Sequence, residues 1–180
     1  MSVNMVLDFW FETLEPIQWW QKDDTLDQTI TSRFGALHQQ AGRGELAHWR
    51  DSDEGCLAEI IVLDQFSRNI YRNMPQAFAY DGMALILAQE AVRAATDQRL
   101  KSINQRAFIY MPYMHSESSI IHQQAAQLFR QAGMESQYEF ECKHQAIIAR
   151  FGRYPHRNAI LGRKSTTEEI AFLSEEGSSF

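Results

Sequence analysis

The chain has little cysteine, little proline and no long apolar run. Cys56 and Cys142 stand alone among 180 residues, with no CxxC spacing. That argues against a disulfide scaffold and predicts two free, buried thiols in a reducing, cytoplasmic setting. No stretch approaches the ~18 apolar residues that a bilayer-spanning helix needs, so no membrane is expected. The start, Met1-Ser2-Val3-Asn4-Met5, lacks a basic region followed by an apolar run, so no secretory signal is expected. A general excess of positive charge is also missing. The formal net charge is -6 and the pI is near 5.5, which argues against nucleic acid as a partner.

Acid is absent from one long stretch. Between Glu141 and Glu168 there is no Asp or Glu, while Lys143, Arg150, Arg153, Arg157, Arg163 and Lys164 supply six positive charges. A cationic island in an acidic chain requires a counter-charge: its own carboxylates, a bound anion or a partner.

What is present is helical periodicity. The 44% hydrophobic and 12% aromatic content suits a packed core. The length suits one domain, residues 1–180, burying roughly 70% of its unfolded-chain surface. Val6, Phe9, Trp10 and Thr13 follow three-and-four spacing, and Pro16 is expected to end that helix. Leu26, Ile30, Phe34, Leu37 and Ala41 form one stripe, with Asp23 or Asp24 as N-cap and Gly42 as terminator. Residues 55–71 are apolar all round, as in a buried helix, yet carry Asp64, Gln65, Arg68 and Asn69. Pro75 is expected to open a helix with Phe78, Leu85, Ala88 and Val92 on one face. A further helix is expected to stop or kink at Pro112. Ser116, Ser118 or Ser119 caps the next, which runs to Gly133. Residues 135–151 form another, closed by Gly152, and Ser165-Thr166-Thr167-Glu168 reads as a capping box for a last short helix through Leu173. No strand pattern is found. The expected fold class is all-α, with antiparallel helical hairpins stacked into a bundle or superhelix.

Five groups of polar residues are candidates for chemistry. Asp64 and Arg68 are four apart and meet on one helix face, either as an internal ion pair or lining a cleft. Asp81 lies on an apolar stripe and needs a donor, with Arg68, Arg106 and the arginines at 150–157 in question. His115 and Glu117 follow Pro112 at a helix-to-helix turn. They suit acid/base chemistry, whereas Ser116 and Glu117 also suit helix capping. The histidine spacing matches no zinc pattern, so neither a metal nor a cofactor is expected. His144 shares a face with Phe140, Ile147, Ile148 and Phe151 and reads as a core histidine. Finally, Gly152 ends a helix and Pro155 can reopen one, placing His156, Arg157 and Asn158 in a first turn flanked by Arg150 and Arg153. Such a turn favours phosphate or carboxylate. The plain alternative pairs these arginines with Asp64, Asp81 and Glu117.

These residues, taken as a set, resemble one family. Val6-Leu7-Asp8-Phe9-Trp10-Phe11, Trp19-Trp20 and an Arg33-Phe34-Gly35 turn look like its N-terminal pattern. Leu63-Asp64-Gln65-Phe66-Ser67-Arg68-Asn69 resembles its LDQFxRN signature, and Pro112-Tyr113-Met114-His115-Ser116-Glu117 its PxxHSE stretch. Arg150–Asn158 and Leu161–Thr166 resemble its FGRxPHRN and LGRxST segments, and the tail from Glu168 to Phe180 also fits. The family is the bacterial "domain of unknown function 924" family. Ser67 stands where the family usually has proline, and Tyr154 where it usually has phenylalanine. The resemblance implies an all-helical, tetratricopeptide-like fold and no activity.

Two functions follow as expectations. In the first, Asp64, Arg68, His115, Glu117, Arg150, Arg153, His156, Arg157 and Asn158 converge on one polar cleft. There the arginines hold a small anionic ligand, and His115 with Glu117 are the acid/base pair if catalysis occurs. In the second, the chain is an interaction module for a protein or peptide. The polar signatures are then struts, and Trp10, Trp19, Trp20 and Trp49 are interface anchors.

Overall fold

Ser2 opens the first helix by accepting the Met5 backbone N–H on its hydroxyl. The computed structural model describes residues 1–178. Ser179 and Phe180, the end of the family-like tail, lie outside the described residues. Helix α1 (Val3–Asp8) widens into a π-type turn over Phe9–Thr13, which buries Phe9 and Trp10. It ends before Pro16, which instead opens a 3-10 turn, Pro16–Trp19, where a missing N–H costs no bond. Asp23 caps α2 (Asp24–Gly42) by accepting from the N–H groups of Thr25 and Leu26. All five residues of the predicted stripe are buried. Arg33-Phe34-Gly35 is not a turn but lies inside α2, with Phe34 on that stripe. Gly42 is still helical, and the left-handed turn falls at Gly44, φ +73°.

Ser52 caps the buried segment by accepting the Gly55 N–H. That segment consists of α3 (Asp53–Ile61), a π-type turn (Val62–Phe66) and α4 (Ser67–Ile70). Leu57, Ile60, Ile61, Val62, Leu63 and Phe66 are buried, as an all-round apolar helix must be. Gly55 sits against the 3-10 turn Ala47–Asp51. A Cβ there would lie 1.8 Å from the Trp49 carbonyl oxygen. Gly55→Ala is therefore expected to destabilise by about 2 kcal/mol, although alanine is the better helix former by about 1 kcal/mol. A urea midpoint unchanged or raised in that variant would contradict the packing.

Helix α5 (Asp81–Arg93) packs on α3. Its buried seam is Ala84, Ala88 and Ala91, not the predicted Leu85 and Val92, which are half-buried. Small side chains let the two backbones approach. After α6 (Thr96–Arg99), helix α7 (Ile103–Met114) runs through Pro112 rather than stopping there. The proline lies in the last turn, where its ring disturbs only the bond one turn back.

The chain divides into two compact units. The first is Met1–Arg72 with Gln76–Pro112, and the second Asn73–Pro75 with Tyr113–Phe180. The first unit has an aromatic centre: Phe34 lies 5.0 Å from Phe9 and 4.8 Å from Phe66, and Trp10 lies 5.6 Å from Phe66 and 5.5 Å from Phe108, ring centre to ring centre.

In the second unit α8 (Ser119–Phe129) packs on α9 (Glu135–Phe151). Helix α8 ends four residues short of Gly133, and Ser118 precedes it without a side-chain cap bond. Gly152 closes α9 in the left-handed conformation, φ +68°. The capping box of α10 (Thr167–Leu173) pairs Thr166 with Glu169, one residue later than the sequence suggested. Ile147, Ile148 and Tyr154 form this unit's apolar cluster, with Phe151 and Phe172 against it. Cys56 is half-buried and Cys142 exposed, so the expectation of two buried thiols is corrected. Trp10 and Trp49 are likewise buried rather than exposed anchors. Every described element is helical, and no strand is present among the described residues.

Candidate functional site

Asp64 and Arg68 lie in the first unit, in a fully and a largely buried setting. Arg68 Nη1 is 3.2 Å from Asp64 Oδ1 and donates to the Asp64 carbonyl at 2.7 Å. The same guanidinium donates to both carboxylate oxygens of Asp81, each at 3.1 Å. Gln65 Nε2 donates to Asp64 Oδ2 at 2.6 Å. So Asp81 finds its donor in Arg68, as an internal ion pair between α4 and α5. Asn69 and Arg72 donate to Asp27 of α2, Asn69 at 2.8 Å. Ser67 Oγ donates to the Leu63 carbonyl at 2.5 Å and meets His38 Nε2 at 2.7 Å. Burial holds the pKa of His38 below the ordinary histidine value. The hydroxyl of Ser67 thus ties α2 to α4.

The second unit is organised around Tyr154, which is fully buried. Its backbone N–H donates to Glu117 Oε1 at 2.7 Å, and its carbonyl accepts from Arg163 at 3.1 Å. Its hydroxyl donates to the Met114 carbonyl at 2.6 Å and lies 3.1 Å from His122 Nε2. The guanidinium of Arg157 lies over its ring at 4.5 Å. The rings of His144 and His156 stand 5.7 and 5.5 Å from it. His122 Nδ1 is 2.7 Å from Glu141 Oε1, both side chains fully buried, and His122 Nε2 is 2.8 Å from the Ser116 carbonyl.

The pKa directions follow from this packing. Burial pushes Glu141 up, opposed by His122. Burial brings His144 down to about 3, opposed by its bond to the Phe140 carbonyl and reinforced by His115, His122 and His156. Burial would raise Glu117, but bonds from Arg163 and the Tyr154 N–H, with the charges of Arg163 and Arg157, hold it below the usual range. Glu117 is thus a carboxylate at neutral pH with both oxygens already engaged.

The cationic stretch finds much of its counter-charge inside the unit. Arg150 meets Glu168 at 2.9 Å. Arg153 forks onto Glu169 at 2.6 and 2.8 Å, which brings Glu169 down to about 2. Arg163 forks onto Glu117 at 2.6 and 2.9 Å. Glu117 was among the expected partners, whereas Glu168 and Glu169 beyond the stretch were not. The expected helix start at Pro155 is a three-residue 3-10 turn, Pro155–Arg157. The N–H groups of Arg157 and Asn158 are used internally, on Tyr154 and Pro155, so this turn is no helix-terminal anion cradle. Asn158 is buried and donates to Ser165 Oγ at 3.1 Å. Among the described residues no three His, Cys, Asp or Glu side chains are grouped to hold a metal ion.

The profile described as "Bacterial protein of unknown function (DUF924)" matches residues 6–177. The chain belongs to the DUF924 family. It is also similar to a solved structure described as a protein of unknown function, ATU0120, from Agrobacterium tumefaciens. The two are 37% identical over 96% of each chain, with a TM-score of 0.91. No curated protein matches the chain.

The DUF924 motifs acquire physical meaning from this geometry. The LDQFxRN signature is a set of ties within the first unit, joining α4 to α2 and α5. The other three motifs form one hydrogen-bonded assembly in the second: Ser116 and Glu117 of PxxHSE, Arg153 to Asn158 of FGRxPHRN, and Arg163 to Ser165 of LGRxST. His115 and His156 are half-buried at this assembly. Sequence reasoning missed Glu141 and gave His122 no role. His122, Ala125 and Phe129 share the buried face of α8, and Glu141 with His144 and Ile148 that of α9, so helical spacing alone would have marked them as inward-facing polar residues.

Proposed function

We propose that the second unit carries a binding site for a small anionic ligand bearing a carboxylate or phosphate, with Arg157 as its anchor and His115 and His156 beside it. The observation that carries this reading is the Arg157 guanidinium. Arg157 is only 6% exposed, and its guanidinium carbon lies 4.5 Å from the centre of the buried Tyr154 ring. Burying a cation is costly; the ring of Tyr154 and the charge of Glu117 offset part of that cost and hold the guanidinium in place. Pre-set geometry is what bidentate recognition of a carboxylate or phosphate rewards. Glu117, Arg163, Arg153, Glu169 and Asn158 form the frame that fixes the loop. Arg150 pairs with Glu168 at the surface and is outside the site. His115 is the candidate for proton transfer if a bound ligand reacts, whereas the ionised and doubly held Glu117 positions Tyr154.

Thermal melting against inorganic phosphate, nucleoside monophosphates, citrate and short carboxylic acids tests the proposal. At least one compound should raise the wild-type melting temperature saturably. Arg157→Lys, which keeps the charge but loses the fork, should lose most of that response while retaining its helical circular dichroism. Silence across the panel, or an equal response in a folded Arg157→Lys variant, rejects the site.

A further inference from the structure

The first unit exposes two large apolar side chains, Ile17 and Trp20, beside a run of carboxylates, and shares no residue with the proposed anion site. Pro16–Trp19 is a short 3-10 turn, and Trp20 is its C-cap. Trp19 is fixed: its indole N–H donates to the Trp10 carbonyl at 2.8 Å, and its ring stacks on Trp10 at 6.4 Å and 18°. Trp20 stands at 89° to Trp19 and stacks on Phe108 at 5.9 Å and 6°. One face of Trp20 is thus held rigidly, yet the residue is 55% exposed, and neighbouring Ile17 is 58% exposed. A tryptophan locked on one side and bare on the other is a preformed platform that loses little side-chain freedom on binding.

The surrounding charge selects the occupant. Residues 12–24 carry four carboxylates, Glu12, Glu15, Asp23 and Asp24, and one cation, Lys22, which lies 3.8 Å from Asp24; Asp23 also caps α2. Glu12, Glu15 and Asp24 are exposed. The π-face of an indole attracts a cation, and nearby carboxylates add to that attraction. We infer that the Trp20–Ile17 surface docks a basic segment of a partner protein, with an arginine or lysine over the outer face of Trp20 and an apolar neighbour against Ile17.

The probe is a fluorescein-labelled peptide of alternating arginine and leucine, with a glutamate-for-arginine twin as control. Anisotropy gives the affinity, and the four indole N–H signals in a proton–nitrogen correlation spectrum give the place. The basic peptide should move the Trp20 signal and leave those of buried Trp10 and Trp49 unmoved. Trp20→Ala should weaken binding roughly tenfold, and a Glu15→Lys/Asp24→Lys variant should weaken it further than added salt does. All three positions are exposed; Glu15 also caps the Pro16–Trp19 turn, so circular dichroism and an unmoved Trp19 signal check that each variant keeps its fold and that turn. Equal binding of the glutamate twin, an unmoved Trp20 signal at saturation, or unchanged affinity in Trp20→Ala overturns the assignment. A Trp20 signal that shifts with protein concentration alone also overturns it, since the occupant would then be a second copy of the chain.

Discussion

Replacing His122 with alanine is expected to remove about 3–5 kcal/mol of stability. The imidazole and the Glu141 carboxyl share a 2.7 Å bond with both side chains fully buried. The other ring nitrogen serves the Ser116 carbonyl and the Tyr154 hydroxyl. His122 therefore joins α8, α9 and the Tyr154 loop through one ring. Deleting it takes from a buried carboxyl the hydrogen bond it shares with His122, opens a cavity, and frees a backbone carbonyl in the motif that carries Glu117. Replacing both members, His122→Leu with Glu141→Leu, removes the stranded group as well. The double variant should recover a large part of the loss, because an apolar pair of similar volume needs no compensation. Urea unfolding followed by circular dichroism measures both variants. A single-variant loss below about 1 kcal/mol, the size of an ordinary hydrogen bond, would mean that the pair does not hold the hairpin.

Acid is expected to weaken the protein from well above the range in which carboxylates titrate, and His144 is the reason. Its folded pKa is about 3, against 6.5 unfolded. Between those values the unfolded chain binds a proton that the folded chain does not. Stability from this residue is therefore complete above about pH 6.5 and declines as pH falls towards 3. The slope is about 1.4 kcal/mol per pH unit, roughly 5 kcal/mol over the whole window. His38, also lowered by burial, acts in the same direction. Glu169, brought down to about 2 by Arg153, adds a loss only below pH 4.5. Glu141 has the opposite sign: its raised pKa favours the folded state in acid and opposes it as pH rises. Glu59, raised by burial, and Asp53 and Glu117, held low by their arginine partners, add their own slopes, so the comparison that isolates His144 is with His144→Gln. The variant should be less stable near pH 7.5 but show a shallower decline between pH 6.5 and 4. Parallel profiles would show that His144 titrates as it does in the unfolded chain.

Much of the helical framework was legible because it depends on neighbours within a few residues. The α2 stripe, the Asp23 cap, the burial of the segment that carries Asp64 and the Gly152 terminator all came from spacing and side-chain type. The errors were also local in kind. Pro112 stayed inside its helix because a proline in a last turn costs little, and the seam of α5 fell on alanines because close helix packing outweighs side-chain size.

The polar residues were read less completely. Arg68 was rightly among the donors considered for Asp81, and Glu117 among the acids considered for the arginines. Which partner each took was not readable, since Arg153–Glu169 and Arg163–Glu117 join residues 16 and 46 positions apart. His122 and Glu141 were overlooked because each alone is one polar residue on an amphipathic helix, and only the packing of α8 on α9 makes them a pair.

The sequence alone determined that this is a helical DUF924 protein with an acid-free, arginine-rich segment, because periodicity, capping and motif order are properties of the linear chain. Tertiary structure decided which charges are spent on each other, which tryptophans are buried, and that Tyr154 is the residue three motifs share. Those outcomes depend on distance in space, and an ion pair or a stacked ring exists only once the backbone has brought remote residues within a few ångströms.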